Sequence, residues 1–195
     1  KKLPQYLPLF IYAVLSFCNE AWSDIAISGL HRYQWSRPTN NIYDLCEVLL
    51  WLWQFKNWGL FADRLWLYRL LLGFRIVSWI LLVVFGIGMG AVTSWSEVMG
   101  YFMIAVLAIS NLNFIFARNR ADFSKSTNFI ATIACIFFFC YKVCHQVFFI
   151  YGLDKDMQFV RNVYSIFLVI NIIYNLLLAY GLLWTDRKQP YLLRY

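Results

Sequence analysis

Charge is what this sequence has least of. Only 14% of its 195 residues are charged, against about 25% in an ordinary soluble domain. The apolar share is 62%, where roughly 45–50% is usual. A soluble fold of this size has too little interior to hide that excess, so lipid is the natural solvent for much of the surface. Histidine is almost missing, with only His31 and His145, which leaves little for a metal centre. Cys140, Cys144 and His145 lie close in sequence but do not meet the haem-attachment spacing C-x-x-C-H. The five cysteines, Cys18, Cys46, Cys135, Cys140 and Cys144, are odd in number and sit inside apolar stretches. They form no complete disulfide framework and read as small packing side chains. Nor is there a basic run or a basic helix face, so the net charge of +7 does not point to nucleic acid. No nucleophile–base pair stands out, and the short loops leave no room for a soluble catalytic domain.

What is present is apolar length. A membrane span needs about 20 mostly apolar residues to cross a hydrocarbon core of about 30 Å. Ile76–Trp95, Val98–Ala117, Phe129–Leu153 and Phe159–Trp184 meet that plainly. Leu7–Ile27 is long enough but contains Asn19, Glu20 and Asp24, and Tyr43–Trp58 is short and carries Glu47. The expectation is an all-α integral membrane protein, one bundle of about six transmembrane helices over residues 1–195. Gly59–Arg75 reads as an interfacial lead-in to the third helix, its arginines reaching towards water along their own stems. They do not recur at every third residue, as a voltage sensor would require. Trp58, Trp95, Tyr151, Trp184 and Tyr191 fall at segment ends, where amphipathic rings anchor at the headgroup level.

The basic residues alternate between loops. Lys56, Arg64, Arg69 and Arg75 precede the third helix, and the turn Trp95–Ser96–Glu97 has none. Arg118, Arg120 and Lys125 follow the fourth helix, Asp154–Lys155–Asp156 is net acidic, and Arg187, Lys188 and Arg194 occupy the tail. Basic loops kept on one side of the membrane give this pattern. Arg32 and Arg37 in the first loop fit it less well.

Ionisable groups inside apolar spans are the most informative residues, because an unpaired charge in lipid is costly. Lys142 and His145 lie one turn apart on the fifth span, Glu20 and Asp24 share a face of the first, and Glu47 sits in the second. These five form the candidate intramembrane polar site, with Lys142 expected to pair with Glu47 or Glu20. Such a group serves a proton path or a headgroup pocket, or it fixes how helices dock. Asn171 and Asn175, four apart on the last helix, and Asn111 and Asn113 on the fourth, read as interhelical hydrogen-bonding residues. Gly86, Gly88 and Gly90 have the spacing that permits close backbone approach between membrane helices. They follow no strand, so they are not a nucleotide-binding loop.

The order of these features resembles the TLC-domain family, which includes ceramide synthases and translocating-chain-associated proteins. The carrying stretches are Asn41-Ile-Tyr-Asp-Leu45, Ser110-Asn-Leu-Asn-Phe114 and Phe123-Ser-Lys-Ser-Thr-Asn128, then the last helix with Asn171 and Asn175 and a basic tail. They span roughly residues 40–190. The family's enzymes carry an adjacent histidine pair after the second conserved helix. The corresponding stretch here, Trp66 to Phe74, has none. The resemblance therefore implies a lipid-binding or structural role rather than acyl transfer.

The function expected from the sequence is that of a non-catalytic accessory subunit packing against partner membrane proteins and lipids. The alternatives are a TLC-like lipid-handling protein and a small transporter or proton carrier. No catalytic residue, metal or cofactor is expected; a bound phospholipid is compatible. The mitochondrial inner membrane and the endoplasmic reticulum both suit the composition. The alternation of Lys and Arg predicts that both chain ends lie on one side of the membrane. Tags at each end, tested for protease access in sealed vesicles, should be cut together; opposite accessibility would show that one of the first two segments fails to cross.

Overall fold

The structure is a computed structural model and describes residues 3–26, 33–88, 94–118, 126–151 and 157–184. Among these residues there are six α-helices and no strand. They are α1 (Leu3–Asp24), α2 (Tyr33–Asn57), α3 (Leu65–Trp79), α4 (Ser94–Arg118), α5 (Thr127–Ile150) and α6 (Met157–Trp184). Four stretches are long and apolar enough to cross a membrane: Leu65–Gly86, Trp95–Ala117, Thr127–Ile150 and Arg161–Leu183. The polar residues that weaken the first two segments in sequence keep α1 and α2 outside that set.

The third span departs from its expected bounds. It begins at Leu65, eleven residues before Ile76, and α3 continues directly into a π-helical segment, Ile80–Ile87. The stretch expected to be an interfacial lead-in is therefore mostly membrane-length helix. Leu65, Leu67, Leu70, Leu71 and Leu72 are strong helix formers that outweigh Arg69 and Arg75. Trp95–Ser96–Glu97, expected as a turn, belongs to the first turns of α4. Arg69 and Arg75 thus leave the loop before the third helix, which keeps Lys56 and Arg64 near its ends, and residues 88–93 contain no Lys or Arg. The contrast between these two loops is smaller than expected but keeps its sign.

Local chemistry sets the helix ends. At the end of α2, Gly59 has φ 86°. Its N–H donates to Lys56 O at 3.0 Å, and the Leu60 N–H donates to Phe55 O at 3.1 Å. This is the Schellman arrangement, which needs a residue at positive φ and satisfies carbonyls that a helix end leaves open. The π segment closes with the Gly88 N–H donating to Val83 O, five residues back, at 2.9 Å. The α5 helix starts with Ser126 in extended backbone, its side chain accepting the Phe129 N–H at 3.2 Å.

The chain divides into two compact units between Ile104 and Ala105, within α4. In the first unit, α1 and α2 carry a repeating polar register. Asn19 Nδ2 donates to Asn40 Oδ1 at 2.9 Å, Tyr12 Oη to Glu47 Oε1 at 3.2 Å, and Gln54 Nε2 to Gln5 O at 3.1 Å. Positions fall by seven on α1 (19, 12, 5) as they rise by seven on α2 (40, 47, 54). The helices are therefore antiparallel and meet with coiled-coil periodicity. Tyr12, Trp51, Phe55 and Trp58 fill the space between these rungs, with ring centroids 5.6 to 6.2 Å apart. Trp58, expected as a headgroup anchor, is 6% exposed and belongs to this core, whereas Trp95 and Tyr151 are exposed.

In the second unit, α5 and α6 are also antiparallel. Thr127 Oγ1 donates to Gly181 O at 2.8 Å at one end, and Tyr141 Oη donates to Val163 O at 2.8 Å towards the other. Between them the rings of Phe138 and Tyr174 stack at 4.0 Å and 5°. Asn111 of α4, fully buried, donates to Thr132 Oγ1 of α5 at 2.8 Å.

The glycines of the third span sit differently from the expected close approach. Gly86 is exposed, and an added Cβ would meet only Leu81 O of its own segment, at 3.2 Å. At Gly88 an added Cβ meets nothing within 4 Å, and Gly90 lies outside the described residues. The demand on Gly88 is conformational, since φ 91° with ψ 152° is a region used almost only by glycine. Gly88→Ala should cost about 1–3 kcal/mol, whereas helical Gly73→Ala, also with open space, should stabilise by up to about 1 kcal/mol. Thermal unfolding of both variants in one detergent checks the contrast; equal shifts would remove the backbone argument.

Candidate functional site

The main concentration of buried polar chemistry lies in the first unit, and each of its helices contributes. Glu47 of α2 is fully buried and accepts the Tyr12 hydroxyl of α1. One turn earlier, Asp44 is buried and accepts the Tyr101 hydroxyl of α4 at 2.7 Å. From α3, Arg75 enters the same region at 1% exposure. Its Nη1 donates to Ser96 O at 2.8 Å and Ser96 Oγ at 3.1 Å. Trp79, one turn further along α3, donates its Nε1–H to Asn41 O of α2 at 3.0 Å.

Two features let Arg75 occupy this place. The first is electrostatic: Asp44, Glu97 and Glu47 all lie near enough to act on its charge. An isolated guanidinium out of water would cost several kcal/mol, and nearby carboxylates offset that cost. The second is steric. A Cβ on Gly100 would lie 3.0 Å from Arg75 Cζ, 3.2 Å from Nη2 and 3.0 Å from Val48 Cγ2. Glycine therefore leaves the guanidinium room against α4 that a Cβ would narrow, so that Arg75 and Val48 would have to give by a few tenths of an ångström.

The residues singled out from the sequence are distributed unevenly around this network. Glu47 is part of it. Glu20 and Asp24 share a helix with Tyr12, but both are exposed. Lys142 belongs to the second unit. It is buried at 9% exposure, and its Nζ lies over the Phe138 ring at 4.9 Å and the Phe139 ring at 5.6 Å. These are distances at which the ring quadrupole attracts a cation. His145 is half-buried and stacks on Phe167 at 5.3 Å, with Phe149 edge-on at 4.9 Å. Asn175 is exposed and turns its amide back to Asn171 O and Oδ1 of its own helix, at 3.0 and 3.1 Å.

Sequence reasoning missed Tyr12, Asp44, Arg75, Gly100 and Tyr101 as site residues. One signal was legible: Asn40, Glu47 and Gln54 recur every seventh residue on α2. Arg75 could not be found this way, because its neighbours in sequence are those of an interfacial arginine.

Chemically, the network holds carboxyl, hydroxyl and guanidinium groups, which exchange protons and form charge-assisted hydrogen bonds. Among the described residues no three His, Cys, Asp or Glu side chains are grouped so that they could hold a metal ion. Among the described residues the fold is thus all-helical, with four helices of membrane-crossing length and a buried ionisable network in its first unit. Comparison of the chain with protein-family models, with curated proteins and with solved structures found no match.

The network yields a prediction on stability. Tyr101→Phe removes a short hydrogen bond to an acidic group and should cost about 1.5–3 kcal/mol. Gly100→Ala forces the guanidinium aside and should cost about 1–3 kcal/mol by overpacking. The two act on one cluster, so their effects should not add. Denaturant titration of the single and double variants measures this, and strict additivity would mean that Tyr101 and Gly100 do not share the cluster.

Proposed function

We propose that this protein is a multi-pass membrane protein of six spans that serves as a non-catalytic accessory subunit. Its outward faces pack against partner membrane proteins and lipids. The observation that carries this reading is α6. That helix turns Phe167, Tyr174, Leu178 and Gly181 inward, while Ile166, Leu168, Val169, Ile172, Ile173, Leu176 and Leu183 are exposed. Only 17% of its most apolar stretch is buried. In water such a surface would be an aggregation site; against lipid or another helix it is the ordinary face of a membrane protein. Asn113 and Asn175, exposed on α4 and α6, are polar side chains of the kind that hold neighbouring membrane helices together. Crossing by α1 and α2 is supported by their shared register, which turns Asn19, Tyr12, Asn40, Glu47 and Gln54 towards one another rather than outward.

A second reading, a lipid-handling protein resembling the TLC-domain family, draws on one further observation. The stretches that carry the resemblance supply buried polar residues at helix contacts: Asn41 and Asp44 from the first, Asn111 from the second, Ser126 and Thr127 from the third. Purification in mild detergent followed by mass spectrometry separates the readings. An accessory subunit should travel with stoichiometric partner proteins, and a lipid-handling protein should purify alone with a defined lipid. Recovery of a bare monomer with neither would overturn both.

A further inference from the structure

The two arginines inside the third span are placed differently. Arg75 lies about 15 Å past its start at Leu65 and is buried. Arg69 lies only about 6 Å past that start and is exposed. An exposed arginine this close to a helix end can bring its head back to the membrane surface along its stem. The Cα–Cβ bonds of a helix tilt towards its N-terminus, so Arg69 leans towards the level of Arg64.

The surroundings at that level are basic. Arg64 stands exposed at the N-cap of α3, and its side chain makes no capping hydrogen bond. Lys56, in the last turn of α2, is also exposed and crosses to α3, its Nζ lying 4.9 Å over the Tyr68 ring. Tyr68 comes one turn after Arg64 and packs on Phe61 of the connecting segment, with ring centroids 5.6 Å apart. Backbone hydrogen bonds hold that segment: Gly59 N–H to Lys56 O, Ala62 N–H to Gly59 O and Arg64 N–H to Phe61 O, at 3.0 to 3.1 Å. Three cations therefore meet at one corner, against the single exposed carboxylate of Asp63. The first turn of α3 adds no acidic side chain.

The same corner is apolar on its outward face. Leu65, Trp66 and Leu70 are 43%, 64% and 53% exposed. Their spacing of three and four residues puts Arg69 on the same face as Leu65 and Trp66, with Leu70 beside them. A free anion gains nothing from that face, whereas an acyl chain does. Guanidinium groups match phosphate with paired, charge-assisted hydrogen bonds. A zwitterionic headgroup would bring its own cation into a corner already in positive excess; a headgroup of net negative charge would not.

We propose that the corner between α2 and α3 binds an anionic phospholipid. Arg64 and Arg69 hold its phosphate, Lys56 adds charge beside it, and Leu65, Trp66 and Leu70 meet its acyl chains. This deepens the accessory-subunit reading by naming the lipid class that one face packs against, and it rests on the third span crossing a membrane.

Native mass spectrometry of the full chain in detergent, titrated with phosphatidylglycerol or with phosphatidylcholine of the same acyl chains, tests the site. Phosphatidylglycerol should bind at least about tenfold more tightly. Lys56→Gln, Arg64→Gln and Arg69→Gln should each weaken it about fivefold, the worth of one basic group near an anionic surface, and leave phosphatidylcholine unchanged. Arg161→Gln, which removes an exposed arginine of α6, should change neither. Equal affinity of the unaltered chain for both lipids overturns the proposal without any variant having to fold. So does an Arg161→Gln loss as large as that of Arg69→Gln, which would mean bulk charge attraction. Displacement of phosphatidylglycerol by an equal concentration of inorganic phosphate would overturn the lipid as the ligand. Flotation with vesicles of each lipid separates this failure from that of the membrane reading. A chain that floats with both but prefers neither loses only the site, whereas one that floats with neither loses the membrane reading as well.

Discussion

Everything in the first unit depends on where a buried guanidinium can be put. Arg75 comes from a helix that is otherwise long and apolar enough to cross a membrane, a setting in which a guanidinium facing hydrocarbon is costly. The chain solves this by surrounding it. Serine oxygens from the start of α4 accept its Nη1, Gly100 clears the volume its planar group needs, and the acids of α2 and α4 supply opposite charge. Each of these demands fixes a helix. The position of α4 is set by Ser96 and Gly100, and that of α2 by Asp44, which in turn receives Tyr101 from α4.

The α1–α2 pair meets the same constraint in another way. Neither helix is apolar enough to count as a span on composition. Their polar residues recur every seventh position and face each other, with the aromatic group of Tyr12, Trp51, Phe55 and Trp58 between the rungs. Coiled-coil spacing lets a helix carry Asn, Glu and Gln on one seam while the remaining surface stays apolar. In the second unit the pattern is lighter: single hydrogen bonds from Asn111, Thr127 and Tyr141 pin helices whose contacts are otherwise aromatic. Membrane hydrogen bonds of this kind average about 0.6 kcal/mol, so they set register more than they supply stability.

The helical class, the fourth to sixth helices and the buried placement of Glu47, Lys142 and Asn111 were legible from composition and apolar length alone. Twenty apolar residues have few other structures available to them, because backbone polar groups in lipid must be satisfied within the segment. Helix bounds were less legible where arginine interrupts leucine. Arg69 and Arg75 look alike in sequence, yet the first is exposed and the second almost wholly buried. The difference arises from Ser96, Gly100 and Asp44, which lie 21 to 31 residues away in sequence.

Apolar run length is a local quantity, and from it the sequence by itself determined the helical class and most of the helices long and apolar enough to cross a membrane. Tertiary structure alone decided which polar residues meet. Glu20 and Asp24 share a helical face, as their spacing requires, but that face is turned outward. Glu47 and Arg75, 28 positions apart, are brought into one cluster by helix packing. Spacing fixes a side chain's direction relative to its own helix axis; only the neighbouring helices determine whether that direction leads to lipid or to another charge.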